Sequence, residues 1–166
     1  MRPTAPGGTT RAAPTLRQAV IDALTPLGVA TVTETTRGGD GGRLAQAAVG
    51  EGATLVVVMG GDGTVNEVAG ALAGTTTALA PLPAGSTNVF ARAIGWPHPA
   101  RRALPVLITA LEAPTFRDLT LGRIEAGPTD RIFCVNAGVG TDADTIHLVE
   151  ARPWIKTKLR NAGVAG

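Results

Sequence analysis

The chain has 166 residues, 44% apolar and 17% charged, which is enough for one domain with a buried core, or one domain and part of another. Aromatic residues make up only 3%, with no tyrosine, and this argues against a single-strand nucleic-acid binder, which stacks bases on aromatic faces. A net charge of +2 and a pI of about 9.3 fit an anionic ligand or a membrane surface without demanding either.

Residues 1–13, MRPTAPGGTTRAA, show no hydrophobic pattern and read as a loop or frayed end. Leu16, Ala19, Val20, Ala23, Leu24 and Leu27 then follow helical spacing. Thr15 and Gln18 have capping-box spacing at the start of this helix, and Gly28 follows its end. VATVTET at 29–35 alternates and is β-branched, so a strand is expected there. GRLAQAAVGEG reads as a helix, with Asp40 as its simplest N-cap. ATLVVVMG at 53–60 is a wholly apolar run, as in a strand covered on both faces.

A helix is expected at about 64–73, a strand in TALAPLP, and a helix from Ser86 to Ile94. HPARRALPVLITALEA reads as a helix that Pro105 interrupts or restarts. This β-α-β-α-β-α order marks an α/β unit with a parallel sheet over residues 1–115. After Pro114 the pattern changes. FRDLTLGRIEA and RIFCVNAGVG read as strands joined by the turn GPTD, so 116–166 reads as an incomplete β-rich second domain that ends in a basic helix.

Cys134 is the only cysteine, which excludes an internal disulfide and fits a cytoplasmic setting. No apolar run approaches the ~18 residues of a spanning helix. Arg2 is followed by no apolar signal-peptide core, so any membrane contact is expected to be peripheral.

VVVMGGDGTVNEV places Gly60, Gly61, Asp62 and Gly63 between a dry strand and a helix that begins near Thr64. Glycines let backbone approach phosphate oxygens, and a helix start presents N–H groups with partial positive charge. Asp62, itself an anion, would act through a metal ion, a ribose hydroxyl or a proton transfer. The plainer reading is a tight turn, with Thr64 and Glu67 as a T-x-x-E capping box. PLPAGSTNVFARAIG repeats the arrangement, with Ser86, Thr87 and Asn88 at the end of the next strand; Ser86 also suits an ordinary N-cap. No G-x-x-x-x-G-K-[ST] occurs and lysine is found only at 156 and 158, which excludes a P-loop protein. His98 and His147 stand without partner spacing, Arg92 suits a solvated helix face or a phosphate contact, and Asp142 suits a turn, an N-cap or the shaping of an interdomain cleft. The RPWIKTKLR cluster suits a solvated helix face or an anionic lipid surface.

GGDGTVNEV followed by PLPAGSTNVFAR, with FCVNAGVGTDADTI further on, resembles the diacylglycerol kinase catalytic-domain family, which includes bacterial lipid kinases and sphingosine kinases. The similarity spans residues 15–150. It implies a Rossmann-like nucleotide-binding domain, related to those of phosphofructokinases and NAD kinases, followed by a β-sandwich. It implies transfer of the γ-phosphate of ATP to a lipid hydroxyl, with Mg²⁺, at the inner face of a membrane. A homodimer is compatible with it. Gly60, Gly61, Asp62, Gly63, Thr64 and Asn66 would line the phosphates, with Ser86 and Thr87 beside them. Ser86 stands where the family has threonine. Thr35, four residues before Gly39-Asp40, would be a further nucleotide contact.

Two departures follow from the resemblance. MRPTAPGGTT replaces the family's first strand and its Asn-Pro loop, and the family's general base and structural magnesium ligands lie beyond the residues given. The chain is therefore expected to be weakly active or inactive alone. A non-catalytic nucleotide-binding remnant, or a gene-model fragment, is the alternative. A kinase of NAD or sugars is a third reading, against which the STNVFAR run counts.

Overall fold

The computed structural model describes residues 15–28 and 31–137. The chain divides into two compact units, Met1–Val32 and Thr33–Gly166. The expected features at 1–13 and beyond 137, including Asp142, His147 and the basic terminal helix, lie outside the described residues.

In the first unit, α1 spans Leu16–Leu24 and passes into a 3₁₀ turn over Thr25–Leu27. Thr15 caps α1, its hydroxyl accepting from the Gln18 N–H at 3.2 Å. The capping box is only half formed. The Gln18 side chain donates to Asp22 at 2.7 Å rather than turning back to Thr15.

The second unit is mixed α/β, and its order is helix α2 (Asp40–Gly50), strand β1 (Leu55–Gly60), helix α3 (Asp62–Leu72) and strand β2 (Ala78–Pro83). Strands β1 and β2 pair in parallel, from Leu55 opposite Ala78 to Gly60 opposite Pro83. A parallel pair needs a crossover, and α3 supplies it. On one face of the sheet, Val58 meets Val65, Val68 and Leu72 of α3, Ala45 of α2 and Phe90, all buried in one cluster. On α3 these positions recur at spacings of three and four, the helical period.

A short helix α4 (Val89–Ala93) and a longer α5 (Ala100–Glu112) follow. Helix α5 packs on β2 and buries Ala100, Ala103 and Leu107, again one stripe, while Leu82 of β2 is fully buried. Pro105 does not break α5. It lies on the exposed side, and the buried residues at 103 and 107 hold the helix across the one backbone donor it lacks. The chain then forms an antiparallel hairpin of β3 (Gly122–Ala126) and β4 (Thr129–Phe133). Its two-residue loop is Gly127-Pro128, with Gly127 at φ +57°. The expected turn was longer, but Thr129 and Asp130 already belong to β4.

Other expectations shift. Residues 31–36 form no strand: their side chains are exposed, so the alternation of Thr33, Glu34 and Thr35 has no face to bury. Residues 116–121 are likewise irregular, and Phe116 is 70% exposed. Helix α4 starts three residues later than expected, because Asn88 before it is left-handed (φ 48°, ψ 48°).

If α5 is seated by its stripe, Leu107→Ala costs about 2–5 kcal/mol in urea denaturation, whereas Val106→Ala, on the exposed side, changes stability by about 0.5 kcal/mol or less. Equal costs would mean that α5 packs on another face.

Candidate functional site

The carboxyl ends of β1 and β2 run out side by side. Ala84 N–H donates to the Gly60 carbonyl at 2.9 Å, one rung past the strands. The loops that follow bring their backbones into contact at Gly61 and Gly85. A Cβ on Gly85 would lie 2.6 Å from the Gly61 Cα, so no larger residue fits there without moving one loop. Asn88 closes the second loop. Its side chain accepts from Gly85 N–H at 2.9 Å and donates to the Gly85 carbonyl at 2.9 Å. It is 6% exposed, and asparagine is among the few non-glycine residues that tolerate the left-handed region.

Three polar side chains of α3 tie this helix to its neighbours. Asp62, its first residue, reaches the second loop: Thr87 Oγ1 donates to Oδ2 at 2.9 Å and Phe90 N–H to Oδ1 at 3.0 Å. Burial pushes the Asp62 carboxyl up, but the donors from Phe90, Val89, Thr87 and Asn88 outweigh it and hold it below the usual carboxylate range. Asn66 lies one turn on. Cys134 N–H donates to its Oδ1 at 2.9 Å, and its Nδ2 donates to the Ile132 carbonyl at 3.4 Å, so Asn66 fastens the end of β4 to α3.

Glu67 corrects the capping-box expectation. Helix α3 begins at Asp62, so Thr64 is its third residue and packs instead with Oγ1 3.2 Å from the position of a Gly60 Cβ. The Glu67 carboxylate leaves its own helix and accepts from Gly39 N–H at 2.8 Å and Gly41 N–H at 3.0 Å, the first donors of α2. A carboxylate is stabilised at such a helix start by unpaired N–H groups and by the helix dipole. The space is fitted closely: a Cβ on Gly41 would lie 2.9 Å from Glu67 Oε2.

Asp40 also differs from its expected N-cap role. Gly39 is the N-cap of α2, and the Asp40 carboxylate turns back to accept from Thr36 N–H (3.0 Å), Thr36 Oγ1 (2.8 Å) and Arg37 N–H (3.2 Å). Those donors, Thr36 first, hold its carboxyl well below the usual carboxylate range. Thr35 stands exposed immediately before Thr36.

The structure therefore brings together Gly60, Gly61, Asp62, Gly63 and Thr64 with Thr87, and places Ser86 exposed on the same loop. It commits the Asn66 amide to the hairpin. Thr36 and the reach of Glu67 escaped the sequence reading, as did the left-handed turn at Asn88, which that reading placed only among the polar residues at the strand end. Asn88, next to a glycine loop and a helix start, carried a usable signal for a left-handed turn. Glu67 carried none, because its partners lie 26 and 28 residues away. Among the described residues no three of His, Cys, Asp and Glu converge to hold a metal ion. A magnesium ion here would depend on phosphate oxygens and water for most of its ligands.

Chemically, helices α2 and α4 receive carboxylates from α3 at their first N–H groups, whereas α3 itself starts at Gly61 with no side-chain cap. Glu67→Ala should speed amide exchange at Gly39 and Gly41 and cost about 1–3 kcal/mol, the penalty for stranding donors. Asp40 and Asp62 have folded pKa values below the ordinary 3.8. The stability they contribute is complete above that value and is lost as pH falls below it. Asp40→Asn should therefore flatten the acid limb of a stability–pH profile measured by thermal melting; an unchanged limb would contradict these bonds.

The model of the diacylglycerol kinase catalytic domain matches residues 5–124, which include both glycine loops. No curated protein matches. Among solved structures the chain is similar to "A putative diacylglycerol kinase from Bacillus anthracis str. Sterne", at 27% identity and a TM-score of 0.46. That alignment covers 55% of this chain and 34% of the other, so the chain spans about a third of that protein's length. With the family model covering most of its residues, the chain belongs to the diacylglycerol kinase catalytic-domain family.

Proposed function

We propose that the chain binds the phosphates of ATP at the start of α3 and carries the nucleotide half of a lipid kinase, which passes the γ-phosphate to the hydroxyl of diacylglycerol or a related lipid. One observation supports this above the rest. Of the three helices that follow these loops, α2 and α4 have carboxylates hydrogen-bonded at their first N–H groups, whereas α3 has a glycine N-cap with no side chain bonded to it, the Asp62 carboxylate of its first turn being turned to Thr87 and Phe90. Anions are favoured at such a position by aligned N–H groups and the helix dipole.

In this reading Gly60 to Thr64 line the phosphates, and Ser86 and Thr35 supply hydroxyls at the rim. A magnesium ion bound with the nucleotide would neutralise phosphate charge, while Gly60 to Thr64 would hold the phosphates. With no lysine among the described residues, backbone N–H groups carry the ground-state binding. Residues 1–115 serve as a Rossmann-like nucleotide domain, and the β3–β4 hairpin opens a second, β-rich domain. The acceptor hydroxyl attacks the γ-phosphorus in line as the bond to ADP breaks, and positioning supplies most of the rate. A lipid acceptor places the reaction at a membrane surface. Peripheral contact suits it, and no helix among the described residues is long and apolar enough to cross a bilayer.

We assign no general base among the described residues. Asp62, the acid of the phosphate loop, accepts hydrogen bonds at both oxygens. That favours a second reading: nucleotide binding without turnover by this chain alone.

Calorimetry should show ATP binding to the purified chain, weakened about tenfold or more by Gly85→Ala, whose Cβ would force the loops apart. A radiolabelled-ATP assay with diacylglycerol in mixed micelles should show little turnover. No ATP binding would overturn the proposal, and robust turnover abolished by Asp62→Ala would overturn the second reading.

A further inference from the structure

Asp62 stands at the centre of the proposed phosphate loop, where an acid invites a metal-binding or proton-transfer role. Its surroundings point elsewhere. Both carboxylate oxygens are engaged across the gap between the loops, by Thr87 Oγ1 at 2.9 Å and Phe90 N–H at 3.0 Å. No second acid, histidine or cysteine joins it in a metal-binding group among the described residues. The nearby acids are committed as well, Glu67 to Gly39 and Gly41, and Asp40 to Thr36 and Arg37.

We propose that Asp62 is a positioning residue that ties the loop after β1 to the loop after β2, that the Thr87 hydroxyl holds it there, and that neither side chain binds Mg²⁺ or takes a proton from the acceptor. The inference rests on the phosphate reading above. It explains why the backbones at Gly61 and Gly85 can stay in contact. The Asp62 strut spans the gap from one side, while Asn88 clamps Gly85 from the other.

A strut and a metal ligand respond differently to the same substitutions. Asn at 62 keeps an acceptor for Phe90 N–H and places an amide donor where the Thr87 hydroxyl can accept. Ala removes both bonds. Ser at 87 keeps the donor, whereas Val keeps the shape and loses it. For Mg·ATP measured by calorimetry on the whole chain, Asp62→Asn and Thr87→Ser should stay within about threefold of wild type and keep its magnesium dependence. Asp62→Ala and Thr87→Val should weaken binding about tenfold or more. If Asp62→Asn abolishes the magnesium dependence, Asp62 is a metal ligand and the inference fails.

Hydrogen exchange at the Phe90 amide gives a readout without nucleotide. Protection should persist in Asp62→Asn and vanish in Asp62→Ala, and equal protection in the two would overturn the strut. Should wild type bind no ATP, the phosphate reading falls while the exchange data still decide the strut.

Discussion

The Glu67 carboxylate accepts from the N–H groups of Gly39 and Gly41 at 2.8 and 3.0 Å, and the arrangement of loops around α3 depends on that pair. A helix start leaves backbone donors without partners, and burying them unpaired is costly. Helix α2 has no side chain of its own to meet them, since Gly39 is its N-cap and Asp40 faces back to Thr36. The acid comes from a neighbouring helix instead. Because the bond joins two helices, it also fixes their separation, with Gly41 leaving room for the carboxylate and Thr64 beside it.

The same helix repeats the device. Asp62 reaches Thr87 before α4 and the Phe90 N–H in its first turn, and Asn66 meets the backbone at the end of β4. Three side chains within six residues therefore set the second loop, the hairpin and α2 around α3. The cost is that these groups are committed. An incoming phosphate finds carboxylates at the starts of α2 and α4, and those would repel it. The proposed phosphate position is the start of α3, where the N-cap is Gly61 and the Asp62 carboxylate is turned to Thr87 and Phe90.

Much of this was legible from local pattern. The apolar run ending at Gly60 identified β1, and the helix expected at about 64–73 overlaps α3, because burial imposes its periods directly on the sequence. The two glycine loops were recognisable as a pair because each places glycine and polar residues between a strand and a helix start. What failed was whatever needed a distant partner. Thr33 to Thr35 alternate as a strand should, yet a strand exists only where another chain segment pairs with it. The Thr64–Glu67 spacing fits a capping box, but the helix starts two residues earlier and α2 offers the better donors. Pro105 looked like a break, and packing at Ala103 and Leu107 outweighed one missing bond.

The central claim is that phosphate is held by the first N–H groups of α3 and not by those of α2. Amide chemical-shift mapping with ATP on the isotope-labelled chain tests it most directly. The largest shifts should fall on Gly61, Asp62, Gly63 and Thr64, with Gly39 and Gly41 nearly still behind Glu67. Shifts concentrated at Gly39 and Gly41, or spread without regard to either loop, would contradict it.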